Sequence, residues 1–288
     1  MSRTDLPPYI GLLAALLLRL AGCYSPEPEP APPLIPPIEE PETGTSLPPE
    51  GTVASITPSF GRRIAGKRAA NSDTVGWLYI PDTTIHREIL QNPAGETNDY
   101  YLNLSFEGLP DSDGVFCADR RATFGGRGEL SRITALYGHS WDDDPEGELF
   151  AQLKKYRDPE FAADHPYVFF STGEEDMVWE VFAVYDTTIY LPYILPDLSG
   201  WELATTLNTV YASSYYDYHI DITPEDRLLA LSTCTFAVDG HPNLPSINNY
   251  RFVVMARLCG PAEPLKEQAG FSVRTSPMAP DATLPLRG

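Results

Sequence analysis

Positive charge is scarce in this chain: Lys and Arg number 20 against 40 Asp and Glu in 288 residues, a formal net charge of -20. Binding to a phosphate backbone depends on clustered Lys and Arg, and no such stripe is present. Nucleic acid is therefore excluded as a partner, and the acidic excess is that of a protein kept soluble after export. Cysteine is scarce as well. Its four copies, Cys23, Cys117, Cys234 and Cys259, are too few and too scattered for a disulfide framework. His165 and His219 lack Cys or His neighbours at ligand spacing, which argues against zinc. The acidic run Trp141-Asp142-Asp143-Asp144-Pro145-Glu146-Gly147 lacks the alternating ligands of an EF-hand, so it is read as a solvated turn. No metal and no other cofactor is expected, and no internal repeat is evident.

The apolar run at residues 9–20 falls short of the ~20 residues that span a bilayer comfortably. With Arg3 before it and Leu20-Ala21-Gly22-Cys23 after it, it marks residues 1–24 as a targeting segment rather than part of the fold. The tetrapeptide matches the bacterial lipobox, which makes Cys23 a lipidation candidate. Arg19 within the run and Asp5 in its flank equally fit an uncleaved signal anchor. Either outcome tethers the chain to the outer face of the cytoplasmic membrane. Residues 25–60 are dense in Pro and Glu, cannot bury enough apolar surface to fold, and are read as a disordered stalk. Residues 261–288, rich in Pro and Ala, are read as a loosely ordered tail.

Residues 61–260 remain as one domain, long enough for a single core. Residues 62–71, with Arg62, Arg63, Lys67 and Arg68, predict a helix whose basic side is solvated. Short β-rich runs follow at residues 133–137, 167–170, 178–185, 228–232 and 252–258, separated by Gly, Pro and Asp turn signals. Two helical patches intervene. Residues 148–156 carry Leu149, Phe150 and Leu153 inward with Lys154 and Lys155 outward, and residues 198–213 repeat Leu203, Leu207, Val210 and Tyr211. The pattern predicts a mostly β fold with an N-terminal helix and short peripheral helices.

Chemistry-bearing residues stand at predicted strand ends. Cys234 closes Leu231-Ser232-Thr233-Cys234, Arg251 opens Arg251-Phe252-Val253-Val254, and His139 follows a third apolar run in Tyr137-Gly138-His139. A thiolate is a nucleophile, an imidazole can carry the proton to a leaving group, and a cation can hold the oxyanion of an acyl intermediate. Taken singly, a Cys flanked by apolar residues is more often a small core residue. Cys117 and Cys259 are read that way.

The order of landmarks along the chain separates the two explanations for Cys234. Trp77-Leu78-Tyr79-Ile80-Pro81, Asn98-Asp99-Tyr100-Tyr101-Leu102-Asn103, Gly114-Val115-Phe116, Tyr137-Gly138-His139, Leu149-Phe150, Leu153-Lys154-Lys155-Tyr156, Phe182-Ala183-Val184-Tyr185, Leu231-Ser232-Thr233-Cys234 and Arg251-Phe252-Val253-Val254 follow the order of class B sortases. Residues 76–258 thus resemble these cell-wall transpeptidases of Gram-positive bacteria. The resemblance implies an eight-stranded β-barrel in which Cys234 attacks the carbonyl after the threonine of a sorting signal. His139 would serve the leaving and incoming amines, and Arg251 the oxyanion. It further implies that thiol and imidazole do not form a tight ion pair, so that turnover is slow.

By the same resemblance Asn98, Leu102, Tyr137, Ser232, Tyr193 and Ile194 contact the sorting peptide. Strand alternation independently puts Ser232 on the face of Cys234 and Tyr137 on that of His139. The implied partners are surface proteins bearing a sorting signal, a peptidoglycan precursor or crossbridge amine, and the membrane through the N-terminus, with the enzyme a monomer. Residues 235–250 are longer than the connection the family leads one to expect and include His241, while Thr235 stands where some members carry an acid. The alternatives are a pilin-polymerising sortase, a papain-like protease, and an inactive surface-anchored binding module. A papain-like enzyme would present its Cys early in the mature chain at a helix start. The filled catalytic positions argue against the inactive module.

Overall fold

The protein was analysed as a computed structural model that describes residues 50–92, 94–95, 97–236 and 249–280. The targeting segment with Cys23, the stalk up to residue 49, His241 with most of the long loop, and residues 281–288 lie outside the described residues.

Strands β1 (Thr74–Tyr79), β2 (His86–Leu90), β3 (Cys117–Ala118), β4 (Ile133–Tyr137), β5 (Tyr167–Thr172), β6 (Val178–Thr188), β8 (Leu228–Cys234) and β9 (Tyr250–Leu258) close into an eight-stranded barrel. Its order is β1-β2-β3-β4-β8-β9-β6-β5, with β5 returning to β1. The β2·β3 and β4·β8 pairs are parallel and the rest antiparallel. Closure removes the exposed edges that an open sheet of these apolar strands would present. The fold class expected from the sequence is the one observed.

Alternation sorts the apolar residues of β4, β8 and β9 between separate cores. Leu136, Leu229, Leu231, Phe252 and Val254 fill the barrel interior with Leu78, Phe116, Phe170 and Trp179. Ile133, Ala135, Leu228, Ala230, Val253 and Met255 face outward and are covered by helix α3 (Gly200–Ser213) through Leu203, Leu207 and Val210. A strand buried on both faces reads as a continuous apolar run, which is how β8 reads. Helix α3 begins at a capping box between Ser199 and Glu202, so its first amides are satisfied where the preceding connection ends.

Helix α1 (Gly61–Ala70) lays its Ile64 on the outside of β1, where Phe60 stacks on Trp77 with ring centroids 6.1 Å apart. A 3₁₀ segment, Leu149–Arg157, carries Phe150, Leu153 and Tyr156 into the interior, all fully buried. Helix α2 (Pro159–Asp164) follows at once, with Asp158 capping the Glu160 amide.

The chain ends of the domain differ from their composition-based reading. The expected stalk stops short of residue 60, because residues 50–60 are docked: the Val53 amide donates to Glu263 O at 2.9 Å and the Phe60 amide to Asp176 Oδ1 at 2.9 Å. The expected loose tail is anchored as far as Met278, whose amide donates to Ala212 O at 2.8 Å. Strand β10 (Ser272–Val273) pairs with β7 (Tyr216–Asp217), Phe271 packs on Tyr216 at 4.5 Å between centroids, and Lys266 pairs with Glu180. Isolated Leu265 and Phe271 side chains supply apolar anchors that a Pro- and Ala-rich average conceals.

Candidate active site

The outward face of the sheet is the line on which the chemistry-bearing residues fall. In β8, Ser232 and Cys234 continue the outward series of Leu228 and Ala230. In β9, Arg251 precedes outward Val253 and Met255 and pairs directly with Cys234. In β4, Tyr137 follows Ile133 and Ala135 outward and pairs with Ser232. The β4·β8 pairing ends there, and His139 stands two residues beyond Tyr137 as Cys234 stands two beyond Ser232. The Thr233 hydroxyl donates to Gly138 O at 2.7 Å and holds the two chains together past the end of β4. Gly138 is required there, since a Cβ would lie 2.7 Å from the Phe116 ring and 2.8 Å from that of Phe150.

His139 is half-buried and fixed by its surroundings. Its Nε2 lies 2.8 Å from Leu102 O, and a carbonyl only accepts, so Nε2 carries the proton in this arrangement. The imidazole stacks on Trp141 at 4.8 Å and 20°, and the exposed Trp141 donates from Nε1 to Asp113 Oδ1 at 3.0 Å. The Leu102 carbonyl is positioned in turn by Gly114, which has φ +59° and would place a Cβ 2.5 Å from that oxygen. Leu102 thus reaches the site through its backbone, while its side chain packs with Leu104 and Phe106 beside Tyr101.

Cys234 is half-buried, and Arg251 donates from Nη1 to Tyr250 O at 2.8 Å. Tyr193, from the connection between β6 and α3, is buried under this edge with its hydroxyl 2.8 Å from Ser232 Oγ. Burial pushes the Tyr193 hydroxyl up to about 12, against the opposing pull of the Ser232 hydrogen bond and the Arg251 charge. Ile194 is half-buried against the same outward core.

Asn98 and Tyr137 are brought together, but around Asp119. Asn98 Nδ2 and the Tyr137 hydroxyl each donate to Asp119 Oδ2 at 2.8 Å, and Asn98 Oδ1 accepts from the Arg120 amide at 2.8 Å. Arg121 grips the same carboxylate from Nε at 2.8 Å and Nη2 at 2.7 Å. Burial works to raise the Asp119 carboxyl, but the Arg121 side-chain and backbone hydrogen bonds, Tyr137 and the Arg121 charge outweigh it and hold it below the usual range. Burial, and then Asp119, put the Tyr137 hydroxyl well above its ordinary value. Asn98 also lines a small surface hollow with Tyr100, Tyr101 and Cys117.

A second polar cluster was not legible as such. Lys154, expected from the sequence to face outward, is fully buried: its Nζ donates to Ser140 Oγ and to Asp142 O, and it pairs with Asp143 at 2.7 Å. The reason is the local geometry. A 3₁₀ segment turns every three residues, so with Phe150, Leu153 and Tyr156 inward, Ala151, Lys154 and Arg157 form a separate row. Asp143 corrects the reading of its turn as wholly solvated, because it accepts from the Phe236 amide at 2.8 Å and the Thr235 hydroxyl at 3.1 Å. Arg157 Nη2 donates to Thr235 Oγ1 at 2.8 Å and pairs with Asp186 at 3.1 Å.

Among the described residues, the two other thiols are poor ligands and nucleophiles. Burial pushes both Cys117 and Cys259 up to about 12. Cys259 lies with Glu180 and Glu263 in a group whose ligand atoms fall within 4.8 Å of one another. Both carboxylates are taken by cations, Glu180 by Arg257 and Lys266 and Glu263 by Arg257, which leaves that group no charge to offer a metal.

A sortase-domain family model matches residues 78–259. Sortase B of Listeria monocytogenes is 36% identical over 167 residues, 57% of this chain and 63% of that protein's own length. The Staphylococcus aureus sortase B–substrate complex superposes with a TM-score of 0.57 at 28% identity, covering 69% of this chain and 85% of that one. A sortase B complexed with triglycine gives 0.57 at 27%, covering 69% and 86%.

Proposed function

The chain belongs to the sortase family, and on that premise we propose that it is a cysteine transpeptidase of class B type, with Cys234 as nucleophile, His139 as acid and base and Arg251 as oxyanion partner. With His139 as imidazolium, the Cys234 thiolate attacks the carbonyl carbon of the threonine after which the sorting signal is cleaved, and Arg251 offsets the charge that develops on the oxygen. The C–N bond then breaks, the leaving amine takes a proton from the His139 imidazolium, and a thioester remains on Cys234. An incoming amine gives its proton to His139 and displaces the thiolate, so the surface protein ends on the acceptor and the enzyme is regenerated.

The observation that carries the reading is the shared outward face: Cys234 and Arg251 are direct cross-strand partners, and His139 continues the neighbouring parallel strand past the Tyr137·Ser232 pair. The sortase B neighbours solved with a substrate and with triglycine support a peptide donor and an amine acceptor, here a cell-wall amine. Tyr193 and Ser232 would meet the peptide beside the thiol, with Ile194 at the rim. Asn98, Leu102 and Tyr137 would shape the groove through the backbone and the Asp119 cluster. The tether at the outer face of the cytoplasmic membrane is proposed on the targeting pattern of residues 1–24; no helix among the described residues is long and apolar enough to cross a membrane.

The test is turnover of a fluorogenic sorting peptide by the full chain, with and without triglycine as acceptor. Cys234→Ala is expected to abolish both cleavage and transfer. Cleavage that persists in that variant overturns the nucleophile, and cleavage of unrelated peptides without transfer points to a protease.

A further inference from the structure

We infer that Lys154 is a positioning residue for this reaction: a buried ammonium that gathers the segment leaving His139 around itself and holds its Asp143 against the segment leaving Cys234, and so fixes the imidazole relative to the thiol. The inference rests on the reading of Cys234 and His139 as the reacting pair.

Ladder hydrogen bonds join Cys234 to Arg251, but those between β4 and β8 end at the Tyr137·Ser232 pair, short of His139. Strand β4 ends at Tyr137 and β8 at Cys234, and the chain past each is held by other means. On one side, Lys154 Nζ donates to Ser140 Oγ, the residue next to His139, and to Asp142 O, and the Ser140 hydroxyl itself bonds Asp142 O. On the same segment, Nζ also pairs with Asp143 Oδ1 at 2.7 Å, and it is Asp143 that crosses to the other side, receiving the Thr235 hydroxyl and the Phe236 amide, the two residues after Cys234. An ammonium has three protons, and here three oxygens meet them. Arg157, one turn further along, braces Thr235 and Asp186 and lies 3.9 Å from Asp143. Arg157 thus holds the Cys234 side directly, whereas Lys154 acts on it from the His139 side, through Asp143.

A charge with a fully buried side chain is retained against a desolvation cost, and its geometry is correspondingly demanding. Removing it takes away the common anchor of Ser140, Asp142 and Asp143, so the segment leaving His139 and the Asp143 carboxylate that reaches Thr235 and Phe236 are no longer held in one place. Misplacement of reacting groups by about 1 Å costs on the order of a hundredfold in rate, whereas peptide contacts made by Ser232 and Tyr193 are untouched. A positioning role therefore appears in kcat rather than in KM.

The test uses the full chain. Lys154→Met keeps the apolar stem and removes the ammonium, and Asp143→Asn opens the clasp from its half-buried end. Each is expected to lower kcat for acyl transfer by about tenfold or more while KM for the sorting peptide stays within about twofold. The double variant is expected to fall no further than the worse single one, and Lys154→Arg to recover part of the loss. Val168→Ala, in the barrel interior on β5, which borders neither β4 nor β8, serves as a reference for lost stability. Should Lys154→Met fail to fold, Asp143→Asn carries the same comparison. A kcat within about twofold of wild type in the variants that fold, additive losses, or an equal kcat loss in folded Val168→Ala overturns the inference. Activity that survives Cys234→Ala overturns instead the assignment on which it rests.

Discussion

Strands β4, β8 and β9 do different work on their two faces. Inward, Leu136, Leu229, Leu231, Phe252 and Val254 are fully buried in the barrel interior. Outward, the same strands run from an apolar stretch under α3 to Tyr137, Ser232, Cys234 and Arg251 at one end. Stability and chemistry thus occupy alternate residues of one ladder, and a change to one need not disturb the other. Leu231→Ala tests that separation most severely. It is expected to cost roughly 2–5 kcal/mol in urea denaturation, the range for a buried Leu that leaves a cavity, while kcat per folded molecule is unchanged. A large fall in kcat at full folded occupancy would break the distinction between the faces.

Gly114→Ala attacks the outward side from a loop, with a smaller cost in stability. A non-glycine residue at φ +59° is strained by roughly 1–3 kcal/mol, and the added Cβ would press on Leu102 O, the acceptor for His139. Peptide turnover is expected to fall, while alkylation of Cys234 by a small thiosulfonate reagent proceeds at the wild-type rate. If alkylation slows as much as turnover, the loop acts on the whole end of the barrel rather than on the imidazole.

What was legible in the sequence follows the same division. Short β-rich runs between Gly, Pro and Asp turn signals announced β4, β5, β6, β8 and β9, and Cys234, His139 and Arg251 could be placed at or just past their ends, because strand propensity and alternation are local consequences of residue pattern. Gly114 and Gly138 could be quoted as landmarks, yet the reason for them is a close approach to Leu102 and to Phe116 and Phe150, far along the chain. Lys154 escaped for a related reason. Its pattern fits an amphipathic α-helix with a charged exterior, and only the 3₁₀ turn and the oxygens of Ser140, Asp142 and Asp143 reveal an inward ammonium. The docked residues 261–278 escaped because their few anchors, Leu265 and Phe271, are diluted by Pro and Ala.

Asp119 supplies the most delicate test, since it supports the outward side without touching Cys234 in the register. Its folded carboxyl lies below the ordinary value of about 3.9, so as pH falls the unfolded chain takes up its proton first. A depressed carboxylate contributes its full stability above the unfolded pKa and loses it as pH falls through the folded one. Asn cannot titrate, so Asp119→Asn should be less stable than wild type by about 1–2 kcal/mol near neutral pH, from the lost charge-assisted hydrogen bonds of Arg121, Tyr137 and Asn98. That gap is expected to hold down to about pH 5 and to shrink below about pH 4. Urea denaturation of both proteins across that window measures it. The inward face carries no such carboxylate among the buried residues of its core, so Leu231→Ala should show a gap that is flat over the same range. A flat gap for Asp119→Asn as well would mean that the Arg121 pairing does not depress the carboxyl, and the outward side would then be held by packing, as the inward one is.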